Sequence, residues 1–84
     1  MDYKVYIPEE AKPEENDLQV QISQWLFKVG ESVEKGMELV EICTDKAVYV
    51  ITAPVSGILK KVFIEEGQFF SPDNPICIIN IKEE

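Results

Sequence analysis

The chain contains no histidine, and its two cysteines, Cys43 and Cys77, form no CxxC pair. A structural zinc site ordinarily draws four Cys/His ligands, so that chemistry is closed. A Ser-His or Cys-His catalytic pair is excluded by the same absence. With no other catalytic constellation present, the chain does not read as an enzyme in its own right. No apolar run approaches the roughly 20 residues that span a bilayer, and the N-terminus lacks a basic region followed by an apolar one. The expectation is a soluble, unsecreted protein with no membrane partner. Positive charge is scarce: eight basic residues face sixteen acidic ones, for a net charge of −8. Such a surface repels phosphate backbones, which argues against nucleic acid as a partner and suits docking onto basic rims of other proteins. Helical periodicity runs over no useful length.

What the sequence does contain is β patterning. The 84 residues allow one small unit, residues 1–84, and 45% hydrophobic content is enough to fold it. Tyr3, Val5 and Ile7 alternate with Lys4 and Tyr6 before Pro8, as a first strand ended by proline would. Glu9–Asp17 is polar and predicts a solvent-exposed loop. Leu18, Val20 and Ile22 form a second alternating run. After Ser23-Gln24 the alternation resumes on Trp25, Phe27 and Val29 with opposite parity, which predicts a bulge or bend. Gly30-Glu31 and Lys35-Gly36 are turns around the apolar anchor Val33. Ala53-Pro54 and Val55-Ser56-Gly57 break the chain before a strand at Ile58–Ile64. Glu66-Gly67 and Pro72–Pro75 are further turns, and Ile76–Ile81 is the last strand. Both cysteines lie in apolar strand patterns, where a small buried hydrophobe is the default.

Two of these runs, Glu38–Cys43 and Ala47–Ile51, are rich in β-branched residues and meet at Thr44-Asp45-Lys46-Ala47. Thr and Asp favour a turn there. Without Gly at the centre, a type I-like turn is expected, with the Lys46 amine at a solvent-exposed tip. A weak internal repeat runs at a shift of 37 residues. Trp25 falls on Val62, Phe27 on Ile64, Gly30 on Gly67, Val33 on Phe70, Leu39 on Ile76 and Ile42 on Ile79, while Val20 falls on Gly57. Two similar halves, each with an apolar face, can bury those faces against each other as two small antiparallel sheets. The lysine hairpin would then join the halves, and the chain termini would meet at the other end.

Thr44-Asp45-Lys46-Ala47, preceded by Leu39-Val40-Glu41-Ile42, resembles the lipoylation motif of the biotinyl/lipoyl carrier-domain family. Trp25, Lys28-Val29-Gly30-Glu31, Val33, the Ala53-Pro54…Gly57 break and Glu66-Gly67 extend the likeness over nearly the whole chain from Leu18 onward. The resemblance implies an all-β fold: a flattened barrel or sandwich of two four-stranded antiparallel sheets related by a pseudo-twofold. It implies that Lys46 carries lipoic acid in amide linkage, with Asp45 and Ala47 positioning the lysine for a lipoate-protein ligase. The implied partners are a 2-oxoacid decarboxylase/dehydrogenase, an acyltransferase core such as that of a dihydrolipoamide acyltransferase, and dihydrolipoyl dehydrogenase. The implied location is the cytoplasm, or the mitochondrial matrix in a eukaryote.

Biotin acceptors of this fold carry methionine on both sides of the lysine, whereas Lys46 lies between Asp45 and Ala47 and the two methionines are Met1 and Met37. A biotin carboxyl carrier is therefore the weaker alternative, beside an unmodified structural barrel. A glycine-cleavage carrier would be longer and flanked by helical segments. Two departures stand out. Cys43 occupies a position often held by Glu, where a thiol could lie near the dithiolane. Glu9–Asp17 replaces a Gly-Glu-Gly type segment that takes part in partner recognition.

Overall fold

The computed structural model describes residues 1–12 (the Glu10 side chain excepted), 20–44 and 47–81. Eight strands follow one another: β1 Asp2–Val5, β2 Val20–Trp25, β3 Ser32–Val33, β4 Glu38–Cys43, β5 Val48–Thr52, β6 Gly57–Val62, β7 Phe69–Phe70 and β8 Cys77–Asn80. They form two antiparallel four-stranded sheets in the orders β1-β8-β6-β3 and β5-β4-β2-β7. Among the described residues no ladder joins one sheet to the other, so the fold is a sandwich and not a closed barrel.

The core between the sheets is built from the inward residues of each alternating run. Val20, Ile22, Leu39, Val40, Ile42, Leu59, Ile76, Cys77 and Ile79 are all fully buried, with Val5, Val33 and Phe70 beside them. No described polar or charged residue is buried with them, so burial of apolar surface carries the fold without the cost of desolvating polar groups.

The repeat is a real pseudo-twofold. A shift of 37 carries β2 onto β6, β3 onto β7 and Val40–Cys43 of β4 onto β8. Irregularities repeat as well: the β2–β4 ladder slips between Ile22 and Gln24, and the β6–β8 ladder between Leu59 and Lys61. The first is the bulge that the parity slip at Ser23-Gln24 implied; the second interrupts the run expected as one strand at Ile58–Ile64. Turn bonds repeat in exchange: Gly30 N donates to Leu59 O and Gly67 N to Ile22 O, both at 2.8 Å. Both glycines have positive φ, +98° and +86°. Gly57 breaks the pattern opposite Val20 because a Cβ there would collide with the Asn80 carbonyl oxygen on β8.

The edge strands obey the same symmetry at a different spacing. Pairing registers set Asp2 equivalent to Val48, Tyr3 to Tyr49, Lys4 to Val50 and Val5 to Ile51. Ile7-Pro8 then matches Ala53-Pro54, with Ile7 and Ala53 both buried. Counted between equivalent residues, the span from Val5 to Val20 is accordingly nine residues longer than that from Ile51 to Gly57.

Several expectations need correction. Ile7 lies beyond β1, although it is buried. Phe27 and Val29 do not extend a strand: the chain bends after Trp25, and Val29 is exposed. Glu9–Ala11 is a 3₁₀ turn, closed by Ala11 N donating to Pro8 O at 3.0 Å, and it buries Ala11. The rest of that connection lies outside the described residues. Val33, expected as an isolated apolar anchor, lies in the two-residue strand β3, and Phe69-Phe70 form a second two-residue strand, β7, that the sequence pattern does not assign. Cys77 is buried, but Cys43 is partly exposed.

Candidate functional site

The hairpin that brackets Asp45-Lys46 is rooted in the core. Ile42 of β4 is fully buried and stands opposite Tyr49 of β5, and Cys43 stands opposite Val48. One residue further, Thr44 N donates to Ala47 O at 2.9 Å. The Thr44 hydroxyl takes over the rest of the closure, accepting from Ala47 N at 3.3 Å and lying 3.2 Å from Ala47 O. A side-chain hydroxyl here does what a backbone carbonyl would do in a regular ladder. The ends of the tip are thus pinned.

Asp45 and Lys46 themselves lie outside the described residues, and with them the turn type and the direction of the lysine. Ala47 is exposed and accepts the closing bond, a place from which it can set the geometry of its neighbour.

The same bond occurs in the other half. Ile81 N donates to Met1 O at 2.7 Å, and the N-terminal amine donates to Ile81 O at 3.1 Å. The chain ends meet, as the repeat implies, and they stand where the other half has its hairpin.

Cys43 points outward from the sheet, with its thiol 3.6 Å from Thr44 O. Cys77 is sealed in the core, where burial pushes its thiol up to about 12. Among the described residues no group of three or more His, Cys, Asp or Glu could hold a metal ion.

One feature escaped the sequence reasoning. Val48, Cys43, Gln21 and Phe69 are register partners across all four strands of the second sheet, so they form one row on its outer face. Val48 and Phe69 are 57% and 61% exposed. The signal was available: adjacent Phe69 and Phe70 on a strand cannot both face inward.

An open groove of about 400 Å³ lies between the halves, lined by Trp25, Phe27, Lys28, Val29, Val62, Glu65 and Glu66. Its lining includes the symmetry pairs Trp25/Val62, Lys28/Glu65 and Val29/Glu66, which marks the pseudo-twofold axis. The Trp25 indole N–H donates to Ile64 O at 2.9 Å and ties the halves together there.

Comparison with known proteins agrees with this geometry. The family described as "Biotin-requiring enzyme", the biotin/lipoyl group, matches residues 5–79. A probable dihydrolipoyllysine-residue succinyltransferase component of the mitochondrial 2-oxoglutarate dehydrogenase complex of Schizosaccharomyces pombe is 37% identical over 59 residues. That match covers 70% of this chain and 13% of that protein. The mitochondrial pyruvate dehydrogenase protein X component of Mus musculus is 52% identical over 46 residues, covering 55% of this chain and 9% of that protein. The chain thus spans less than a fifth of the length of these curated relatives. The solution structure of the lipoyl domain of the 2-oxoglutarate dehydrogenase complex from Azotobacter vinelandii superposes with a TM-score of 0.77 at 22% identity. It covers 95% of this chain and 98% of that one. A family match over residues 5–79 and a superposition that spans almost the whole chain agree: the chain belongs to the biotin/lipoyl-attachment family.

Proposed function

We propose that Lys46 is the attachment site of lipoic acid and that residues 1–84 act as one mobile carrier unit. The observation that carries this reading is the pinned hairpin: Thr44 and Ala47 close the base of a two-residue tip whose lysine is flanked by Asp45 and Ala47, not by methionine. Both neighbours of the tip are shaped for display. Ala47 adds no bulk beside the lysine, and Val48 and Val50 leave the outer flank open. Asp45 and Ala47 present the lysine to a lipoate-protein ligase. Amide formation removes the lysine charge and adds one net negative charge to an already acidic domain. The dithiolane, when attached, supplies reversible disulfide–dithiol and acyl-thioester chemistry; the chain supplies a rigid base and a tether, which raises the local concentration at each enzyme visited.

The relatives named above belong to 2-oxoacid dehydrogenase complexes. The partners proposed for this chain follow: a 2-oxoacid decarboxylase/dehydrogenase, an acyltransferase core and dihydrolipoyl dehydrogenase, in the cytoplasm or the mitochondrial matrix. The domain acts there as a carrier and not as a catalyst.

Intact-mass spectrometry after incubation with lipoate ligase, lipoate and ATP tests the assignment, with Lys46→Ala and a biotin ligase reaction in parallel. A single lipoyl increment that vanishes in Lys46→Ala is expected. A biotinyl increment in its place moves the domain to carboxylase chemistry. No increment on folded protein leaves a structural module.

A further inference from the structure

We propose that the outer row Val48–Cys43–Gln21–Phe69 is a resting site for the lipoyl arm of the same chain. This rests on the reading that Lys46 is lipoylated. The pseudo-twofold supplies the control. The equivalent row on the other sheet is Asp2–Asn80–Ile58–Ser32. There the edge residue Asp2 is polar and engaged, accepting from Asn80 Nδ2 and Lys60 Nζ, each at 2.8 Å. At the same backbone positions the lysine-bearing sheet has Val48 and Phe69 in place of Asp2 and Ser32. On the next pair out it has Val50 in place of Lys4. The fold tolerates polar residues at all three places, and edge strands are ordinarily defended with them. The fold does not require apolar side chains at these three edge positions, whereas at the inner position of the row the exchange runs the other way, with Ile58 against Gln21.

Place and chemistry then identify the occupant. Val48 is one residue from the bond that closes the hairpin base, so the row begins beside the base of the hairpin that carries Lys46. From Val48 to Phe69 the row crosses three interstrand spacings, about 14 Å, a distance that an extended lysyl-lipoyl arm can cover. The arm is an alkyl chain ending in a sulfur ring, and the row offers a branched aliphatic group at its start and an aromatic face at its end, a surface on which sulfur packs favourably. Between them the Gln21 carboxamide is held by its Nε2 donating to Gly67 O at 3.0 Å, which keeps the middle of the row flat. Resting there, the dithiolane is covered on one side until a partner enzyme draws it away.

The test uses ¹⁵N-labelled protein, lipoylated by the ligase and verified by intact mass, beside unmodified protein. Amide shifts at Gln21 and Phe69, one and two strands beyond the hairpin, are expected on lipoylation, with nuclear Overhauser contacts from the dithiolane methylenes to the Phe69 ring. Phe69→Ser, which installs the residue type of the equivalent position, should abolish both and leave the remaining spectrum unchanged. Val48→Thr, which keeps a strand-forming residue, should weaken them. Shifts confined to residues near 43–48 with no contact to Phe69 overturn the inference, as does a concentration-dependent shift of the row in unmodified protein, which would make it a surface for a second copy. Absence of the mass increment overturns the carrier reading, and the resting site falls with it.

Discussion

Gly30 and Gly67 give the sharpest test of the pseudo-twofold. Each stands at the same point of its half, with φ of +98° and +86°, and each donates its N–H to the central strand beyond, at 2.8 Å. A Cβ built on either meets nothing within 4 Å, so replacement by alanine brings no steric collision. What remains is the backbone cost of holding a non-glycine residue at positive φ, about 1–2 kcal/mol. Part of that is offset because alanine also restricts the unfolded chain, by about 0.4–1 kcal/mol. The net expectation is a loss of about 1 kcal/mol for each variant, or roughly 4–8 °C in Tm for a domain of this size. The two losses should agree, since environment and geometry agree. Asparagine tolerates positive φ better than alanine, so Gly→Asn should lose less at both sites. Urea unfolding followed through the single tryptophan, Trp25, measures this, with an unchanged slope showing that the same surface is exposed. If one alanine variant loses stability and the other does not, or asparagine is the worse replacement, then backbone strain at equivalent turns is not what these glycines relieve.

The cysteines should separate cleanly. Cys43 is partly exposed, whereas Cys77 is buried with its thiol pushed up to about 12, so a thiol reagent should label one site in native protein and the second only on unfolding. Equal native rates would refute the assigned burial. Asp2 should give the fold an acid-sensitive edge. The hydrogen bond from Lys60, then that from Asn80, holds its carboxyl below the ordinary value. Its contribution is therefore present above the unfolded value of about 4 and fades as pH falls below that. Asp2→Asn should lower the urea midpoint at neutral pH, by an amount that shrinks in acid. A pH-independent difference would refute it.

Much of this fold was legible because hydrophobic alternation and turn chemistry point the same way. The hairpin strand Glu38–Cys43 was read to the residue, and β5 was displaced by only one. The repeat of 37 was visible because glycines at positive φ and inward-facing apolar residues are the positions least free to vary. What escaped did so for physical reasons. β3 and β7 are two residues long, too short for alternation to register. Val29 continued a parity that the bend after Trp25 ends. The equivalence of Tyr3 to Tyr49 and of Ile7-Pro8 to Ala53-Pro54 was present in the sequence but hidden, because nine extra residues between Val5 and Val20 change the spacing from 37 to 46. The outer row was missed because its four members come from four separate strands and only the ladder register brings them together.

A pseudo-symmetric fold carries its own control. Where both halves agree, as in the bulges at Ile22/Gln24 and Leu59/Lys61, the buried inward residues and the glycine turns, folding is the sufficient cause, because the same backbone problem has been solved the same way twice. Where they disagree, the difference needs a local reason. Trp25 against Val62 has a structural one: both line the groove on the axis, where two equivalent side chains meet and two indoles would compete for one space. The single indole lines that groove and donates to Ile64 O. Other disagreements are spread over the molecule, such as Gln21 against Ile58, Lys28 against Glu65 and Val29 against Glu66. Those at the edges of the lysine-bearing sheet share one direction: Val48, Val50 and Phe69 are apolar where the other half has Asp2, Lys4 and Ser32. Core packing does not ask for that exchange, because all three side chains are exposed. A consistent change of polarity along both edges of the sheet that carries the hairpin is what points to function there.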